Sequence, residues 1–308
     1  LSSSTGTWAN GQTVVGPARP LITGEIIAVT PGFSGWTAGT NVPGTNAGYY
    51  TAGIYGHAGF VFCSRRGPFA HSVDGKTWTQ GIGTWTNMDC WGVAYGNGKY
   101  IAASADSNPK IQTSTDGINW TQSDLLKAGG GLIANGGWKN IQYANGRFIM
   151  ATGTPSPSQE NIIWSDDGVE WTKANAPQQV YTCLAYSTKE NIWCAVAEGT
   201  KGAVTSTDNG LNWIATSTPY DSYQVTYAEH INKFLAATRA GAGFINSIDG
   251  KTWTQNAAPP SNGYPSGASA NGITVIGTGT GAYAGTGEAS FIKTNPQSPD
   301  ESLGFYSV

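Results

Sequence analysis

Ser114-Thr115-Asp116-Gly117-Ile118-Asn119-Trp120 is the stretch on which the fold turns. Asp-Gly between strand-forming residues is a strong tight-turn signal, because glycine takes positive φ without cost and the aspartate carboxylate accepts nearby backbone amides. The segment therefore reads as strand, turn, strand, with Trp120 on the returning strand. Four further copies follow the same pattern: Ser72-Val73-Asp74-Gly75-Lys76-Thr77-Trp78, Ser165-Asp166-Asp167-Gly168-Val169-Glu170-Trp171, Ser206-Thr207-Asp208-Asn209-Gly210-Leu211-Asn212-Trp213 and Ser247-Ile248-Asp249-Gly250-Lys251-Thr252-Trp253.

Asp74, Asp116, Asp167, Asp208 and Asp249 are spaced by 42, 51, 41 and 41 residues. A recurrence near that length is one four-stranded blade of a β-propeller. Turn chemistry accounts for every repeated position, so the five aspartates are expected to form turns and not to catalyse. The tryptophans are expected to fill the gaps between adjacent sheets.

A second repeated element is a continuous apolar run of strand length. It recurs at 24–30, 58–64, 98–104, 146–152, 191–197, 232–238 and 272–278, and suits a strand covered on both faces. Shorter runs at 92–95, 140–143, 183–186 and 224–227 precede several of them, with Asn97-Gly98 and Asn145-Gly146 as hairpin turns. Each unit is thus two hairpins. Only 123–128 offers a helical alternative. Seven middle strands predict an all-β, antiparallel propeller of seven four-stranded blades, with six as the alternative. The chain is expected to form a single domain over 1–308, in which residues 1–16 close the ring against the last blade and remove the exposed edges.

Composition agrees. Charged residues are 11% of 308, against about 25% in ordinary soluble domains. Twelve tryptophans and 43 glycines argue for a folded, turn-rich chain and against disorder. A net charge of −3 with scattered lysines and arginines excludes a nucleic-acid binder held by a basic face. No apolar run has the length of a membrane span, so no membrane insertion is expected. Neither a cofactor nor a metal site is implied, since the four cysteines lack zinc-ligand spacing. Cys183 and Cys194 would face each other only if their hairpin loop were 187–190; free buried thiols are the expectation.

The Ser-x-Asp-(x)-Gly-x-x-Trp repeats over 50–255 resemble the Asp-box, or BNR, repeat. The fuller unit, from Tyr95 through Thr121, is most similar to repeats of phage virion and tail proteins and bacterial surface proteins. The resemblance implies a sialidase-like propeller in which the Asp boxes lie away from the functional face. It also offers the alternative of a sialidase-type glycoside hydrolase. For that reading, Arg65, Arg66 and Arg239, in connections after middle strands, would hold a substrate carboxylate, whereas Arg19-Pro20 only echoes the family's N-terminal arginine motif and Arg147 reads as structural or solvated. A pair of catalytic carboxylates would come from Asp106, Glu160, Glu198 and Glu288, more simply read as solubilising loops. His57, His71 and His230 are the only histidines, and no Gly-x-Ser-x-Gly elbow exists.

Aromatic residues carry the other functional expectation. Four or five positions before the tyrosine ending each first strand, or its equivalent, stand Tyr50, Trp91, Trp138, Tyr181, Tyr223 and Tyr264. At the entry of the innermost strands they would form a ring able to stack on an uncharged sugar; otherwise they pack between blades. Recognition is expected in the long connections 31–47, 154–160 and 277–288. Taken together, the sequence is read as a non-enzymatic, extracellular or virion propeller, a structural or receptor-binding component whose partners are other virion proteins or cell-surface glycan. A secreted bacterial adhesion or lectin module is a further alternative.

Overall fold

The computed structural model describes residues 4–7, 13–16, 50–83, 89–105, 109–133, 137–153, 160–238, 243–256, 266–270, 273–278, 281–285 and 292–294. All regular elements among them are strands. The first sheet comprises Tyr50–Gly56, Gly59–Ser64, Ala70–Ser72 and Thr79–Gln80. The second comprises Cys90–Gly96, Lys99–Ser104, Lys110–Ser114 and Thr121–Asp124. Trp138–Ala144, Arg147–Thr152, Ile162–Ser165 and Glu170–Lys173 form the third, and Tyr181–Ser187, Ile192–Ala197, Gly202–Ser206 and Ile214–Ser217 the fourth. The fifth contains Ser222–Ala228, Lys233–Thr238, Phe244–Ser247 and Thr254–Asn256, and the sixth Ser266–Ala270, Ile273–Thr278, Gly281–Gly285 and Ile292–Thr294.

In each sheet the four strands lie antiparallel in chain order, and the first strand of each sheet lies against the first strand of the next. This is the architecture of a β-propeller. Six such sheets are described; the expected middle strand at 24–30 lies outside the described residues. Ser4–Thr7 pairs with Thr13–Gly16 in a hairpin of its own, and the sixth sheet takes all four of its strands from 266–294. Of the segment expected to close the ring, only 4–7 and 13–16 are described, and they pair with each other.

The apolar side chains form layers between successive sheets. Val61, Cys63 and Phe69 of the first sheet meet Cys90, Tyr100 and Trp120 of the second. Ile101 and Ile111 meet Ile141, Phe148 and Trp171. Further layers join the third sheet to the fourth and the fourth to the fifth. Middle strands sit between two layers, which is why their sequences do not alternate: Ile192–Ala197 is buried throughout.

The Ser-x-Asp turns are locked as the sequence implies. Asp116 Oδ1 accepts from the amides of Ile118 and Asn119 at 2.9 and 2.7 Å and from Ser114 Oγ at 2.9 Å; Ser114 Oγ in turn accepts from Gly117 N. The other four repeat the Ser–Asp bond and two backbone amides on Oδ1. Trp120, Trp213 and Trp253 donate Nε1 to the turn glycine's carbonyl, and Trp120 stacks on Phe69 of the preceding sheet at 3.9 Å.

These turns also clasp the neighbouring sheet. Asn97 Nδ2 and Lys99 Nζ donate to the carbonyls of Asp166 and Asp167, while Asn209 Nδ2 and Arg147 Nη1 link the third sheet to the turn of the fourth. Arg147 is structural, pairing Asp166 at 2.7 Å and lying 3.9 Å over the Trp164 ring. On the outer side, residues following a fourth strand pair in parallel with the next sheet's turn: Ile82 with Asn119, Asn175 with Asn212.

One expectation changes, and one conditional reading is settled. Residues 123–128 are not helical: Thr121–Asp124 completes the second sheet and Leu126–Lys127 adds a fifth, parallel strand to the third, beside Glu170–Trp171. The longer spacing between Asp116 and Asp167 supplies that extension, and its backbone gains an existing sheet edge, which outweighs weak helix propensity. The hairpin after Tyr181–Ser187 turns through 188–191, so Cys183 pairs with Val196 and Cys194 with Ala185. Cys63, Cys90, Cys183 and Cys194 are all buried free thiols.

Candidate functional site

Because the strands are antiparallel, first strands begin at the end of the molecule where middle strands stop, opposite the Ser-x-Asp turns. Five consecutive sheets share an irregularity there. Register slips by one residue between Tyr50 and Ala52, Cys90 and Gly92, Trp138 and Asn140, Tyr181 and Cys183, and Ser222 and Gln224. One residue per sheet is thereby extruded as a β-bulge: Thr51, Trp91, Lys139, Thr182 and Tyr223. Bulges commonly re-aim side chains beside functional sites.

The bulge residues do two jobs. Thr51 Oγ1 donates to Cys90 O at 2.5 Å and Thr182 Oγ1 to Tyr223 O at 2.6 Å, each pegging its sheet to the next. Trp91, Lys139 and Tyr223 are large and half-buried. Lys139 Nζ lies 4.3 Å from the centre of the Trp91 ring and Arg65 Cζ 5.9 Å from it. Arg65 and Arg66 follow the middle strand of the first sheet and share Asp89, with Arg65 Nε 3.0 Å from Oδ2 and Arg66 Nε 3.4 Å from Oδ1. The Arg65 and Asp89 backbones also form an antiparallel bridge between the first and second sheets.

The Lys139 amine is pushed below its ordinary pKa, first by burial and then by the Arg65 guanidinium; Glu198 and Asp89 act against this. Arg65, Arg66, Asp89, Trp91, Lys139 and Glu198 thus form one electrostatically connected group at the mouth. Sequence reasoning missed Lys139 and Asp89, since no repeated motif contains them. Lys139 stands four positions before Tyr143 as Trp91 stands four before Tyr95, and the strand register shows both to be bulges.

The predicted aromatic ring divides. Residues five positions before the strand-ending tyrosine, Tyr50, Trp138 and Tyr181, open their strands; those four before, Trp91 and Tyr223, are the bulges. Trp138 and Tyr181 are 2% and 0% exposed, so they are core side chains and do not present a face to a ligand. Tyr181 OH donates to Pro177 O, and Trp138 packs with Ile133 and Leu125. Tyr50, Trp91 and Tyr223 keep partial exposure; burial raises the Tyr50 phenol to about 12. Tyr264 and Arg239 lie outside the described residues, as do Arg19, Asp106, Glu288 and the connections 31–47 and 154–159, whereas 277–288 is no long connection: Gly281–Gly285 within it is a strand paired with Ile273–Thr278. Glu160 is tied to Lys127 at 2.8 Å, under the added strand of the third sheet. His71 is 6% exposed, with Nε2 2.7 Å from Ala58 O, and His57 Nδ1 lies 2.6 Å from Tyr95 OH at the opposite end.

Among the described residues no three His, Cys, Asp or Glu side chains group together as metal ligands, and no helix is long and apolar enough to cross a membrane. No protein-family model and no curated protein matches the chain. Solved structures do. The fold is similar to virginiamycin B lyase from Staphylococcus aureus, at 10% identity and TM-score 0.66 over 82% of this chain and 86% of that one. It is similar to YCF48 from Cyanidioschyzon merolae, at 11% identity and TM-score 0.59 over 85% and 88%. A structure of YCF48 bound to D1 peptide matches at 13% identity and TM-score 0.59, over 88% and 86%. These likenesses show a β-propeller fold.

Proposed function

We propose that the chain is a non-enzymatic recognition propeller of the Asp-box type, a phage virion or tail component that binds cell-surface glycan through the mouth at which its first strands begin. The Asp-box assignment is supported by the five turns, whose hydrogen bonds use every repeated polar residue. The observation that carries the binding role is the bulge row, which places Trp91, Lys139 and Tyr223, half-exposed, at one level on consecutive or nearby sheets. Side chains extruded from a paired scaffold at a shared end suit recognition, because the ladder fixes their positions. A sialidase-type hydrolase is the weaker reading: Arg65 and Arg66 are both engaged by Asp89 of the chain itself.

Labelled protein applied to a glycan array, with a fluorogenic sialoside assay in parallel, tests the proposal. Binding without turnover is expected. Trp91→Ala should weaken binding at least about tenfold while leaving the melting temperature within a few degrees, as expected for a half-exposed contact residue. Turnover would overturn the non-enzymatic reading, and binding to no glycan would leave an architectural virion role.

A further inference from the structure

We infer that the mouth selects acidic glycans, with Lys139 supplying the charge that fixes the ligand's anionic group; this rests on the glycan reading above. The bulge at Lys139 turns its side chain toward the second sheet. A Cβ on Gly153 would sit 2.5 Å from Lys139 Cγ and 2.7 Å from Cε, so the aliphatic stem lies flat along the Gly153 backbone. The stem delivers Nζ to the Trp91 ring. No described carboxylate stands within ion-pair distance of it, in contrast to Arg65 and Arg66, which share Asp89. Among the described charges that act on Lys139, Asp89 is shared by Arg65 and Arg66, and Glu198 acts without an ion-pair contact.

A half-buried ammonium that lacks a carboxylate gains most from an anionic partner, since charge-assisted hydrogen bonds are about twice as strong as neutral ones. Stacking of a neutral sugar on Trp91 is hindered at the same time, because Lys139 and Arg65 already lie over the ring. An anion meets those cations directly. The ligand class is therefore an oligosaccharide carrying carboxylate or sulfate groups, and the uncharged glycan expected from aromatic stacking alone is disfavoured by this geometry.

Titration calorimetry of the full chain with tetragalacturonate, a sulfated dextran oligosaccharide and neutral dextran tests the inference at low and moderate salt. Binding is expected for an acidic probe, weakening as salt rises, with little for neutral dextran; which acidic probe binds identifies carboxylate or sulfate as the recognised group. Lys139→Met should weaken it at least about tenfold, as for other charge pairs in recognition sites. Lys139→Arg should retain most affinity, and Lys173→Met, on the outer strand, should change nothing. Equal melting temperatures for the variants would attribute the loss to the site. Neutral dextran bound as tightly as the acidic probes, or an unchanged Lys139→Met, would overturn the charge assignment and leave the glycan reading standing. Poly-glutamate bound in place of every saccharide would overturn both.

Discussion

Gly146 and Gly168 have nearly the same backbone, with φ of +76° and +75°, and opposite surroundings. A Cβ on Gly146 meets nothing within 4 Å, whereas one on Gly168 would lie 2.1 Å from Ile101 Cδ1 of the preceding sheet. Alanine at either carries the left-handed strain of about 1–2 kcal/mol. At Gly168 it must also displace a buried isoleucine, adding about 1–3 kcal/mol. Denaturant unfolding should therefore show Gly168→Ala losing clearly more stability than Gly146→Ala, and equal losses would mean that the Ile101 contact yields freely. The turn itself was legible in the sequence because each ligand of Asp167 lies within a few residues of it. The wedge against Ile101 was not, because that partner belongs to another repeat and only packing brings it near.

At the scale of the strand, the bulge decides what each sheet offers at the mouth. Thr182→Val keeps the side chain's shape and removes the hydroxyl that donates to Tyr223 O. A net loss of about 1 kcal/mol is expected, the usual worth of one such bond, and thermal unfolding measures it. Stability unchanged by the substitution would show that the peg contributes nothing. The six described middle strands were readable to within one or two residues, since their continuous apolar runs are what burial on both faces demands. The aromatic row was legible only as two alternatives, because it mixed two offsets: all five bulge residues stand four positions before the strand-ending tyrosine, whereas Tyr50, Trp138 and Tyr181 stand five before it. A uniform offset of four runs through Thr51, Trp91, Lys139, Thr182 and Tyr223 and leaves Trp138 to the core. A bulge depends on register with a partner strand, which no local pattern records.

For the molecule as a whole, the five turn aspartates couple stability to acidity. All five have carboxyls held below their ordinary pKa. At Asp74 the amides of Thr77 and Lys76 are the main cause; at Asp116, Asp167, Asp208 and Asp249 the combined hydrogen bonds outweigh burial, which acts in the opposite direction. A depressed folded pKa contributes stability that is complete above the unfolded value, about 4, and is lost as pH falls toward the folded one. The melting temperature should therefore be level from about pH 7 to 5 and fall steeply below about pH 4. A transition unmoved at the acid end would mean that the turns do not need their charge. The low charged fraction has the same origin, for sheets stacked face to face leave little surface on which charge is required, and the acids that remain are largely committed to turns. The bulges give this rigid body one freedom. Because an extruded side chain is outside the ladder, its identity can change without disturbing strand pairing, so Trp91, Lys139 and Tyr223 behave as interchangeable sockets around a fixed rim. Single substitutions at the rim can therefore change what it presents, while the turn face, where Gly117, Gly168, Gly210 and Gly250 each back onto side chains of the preceding repeat, stays constant.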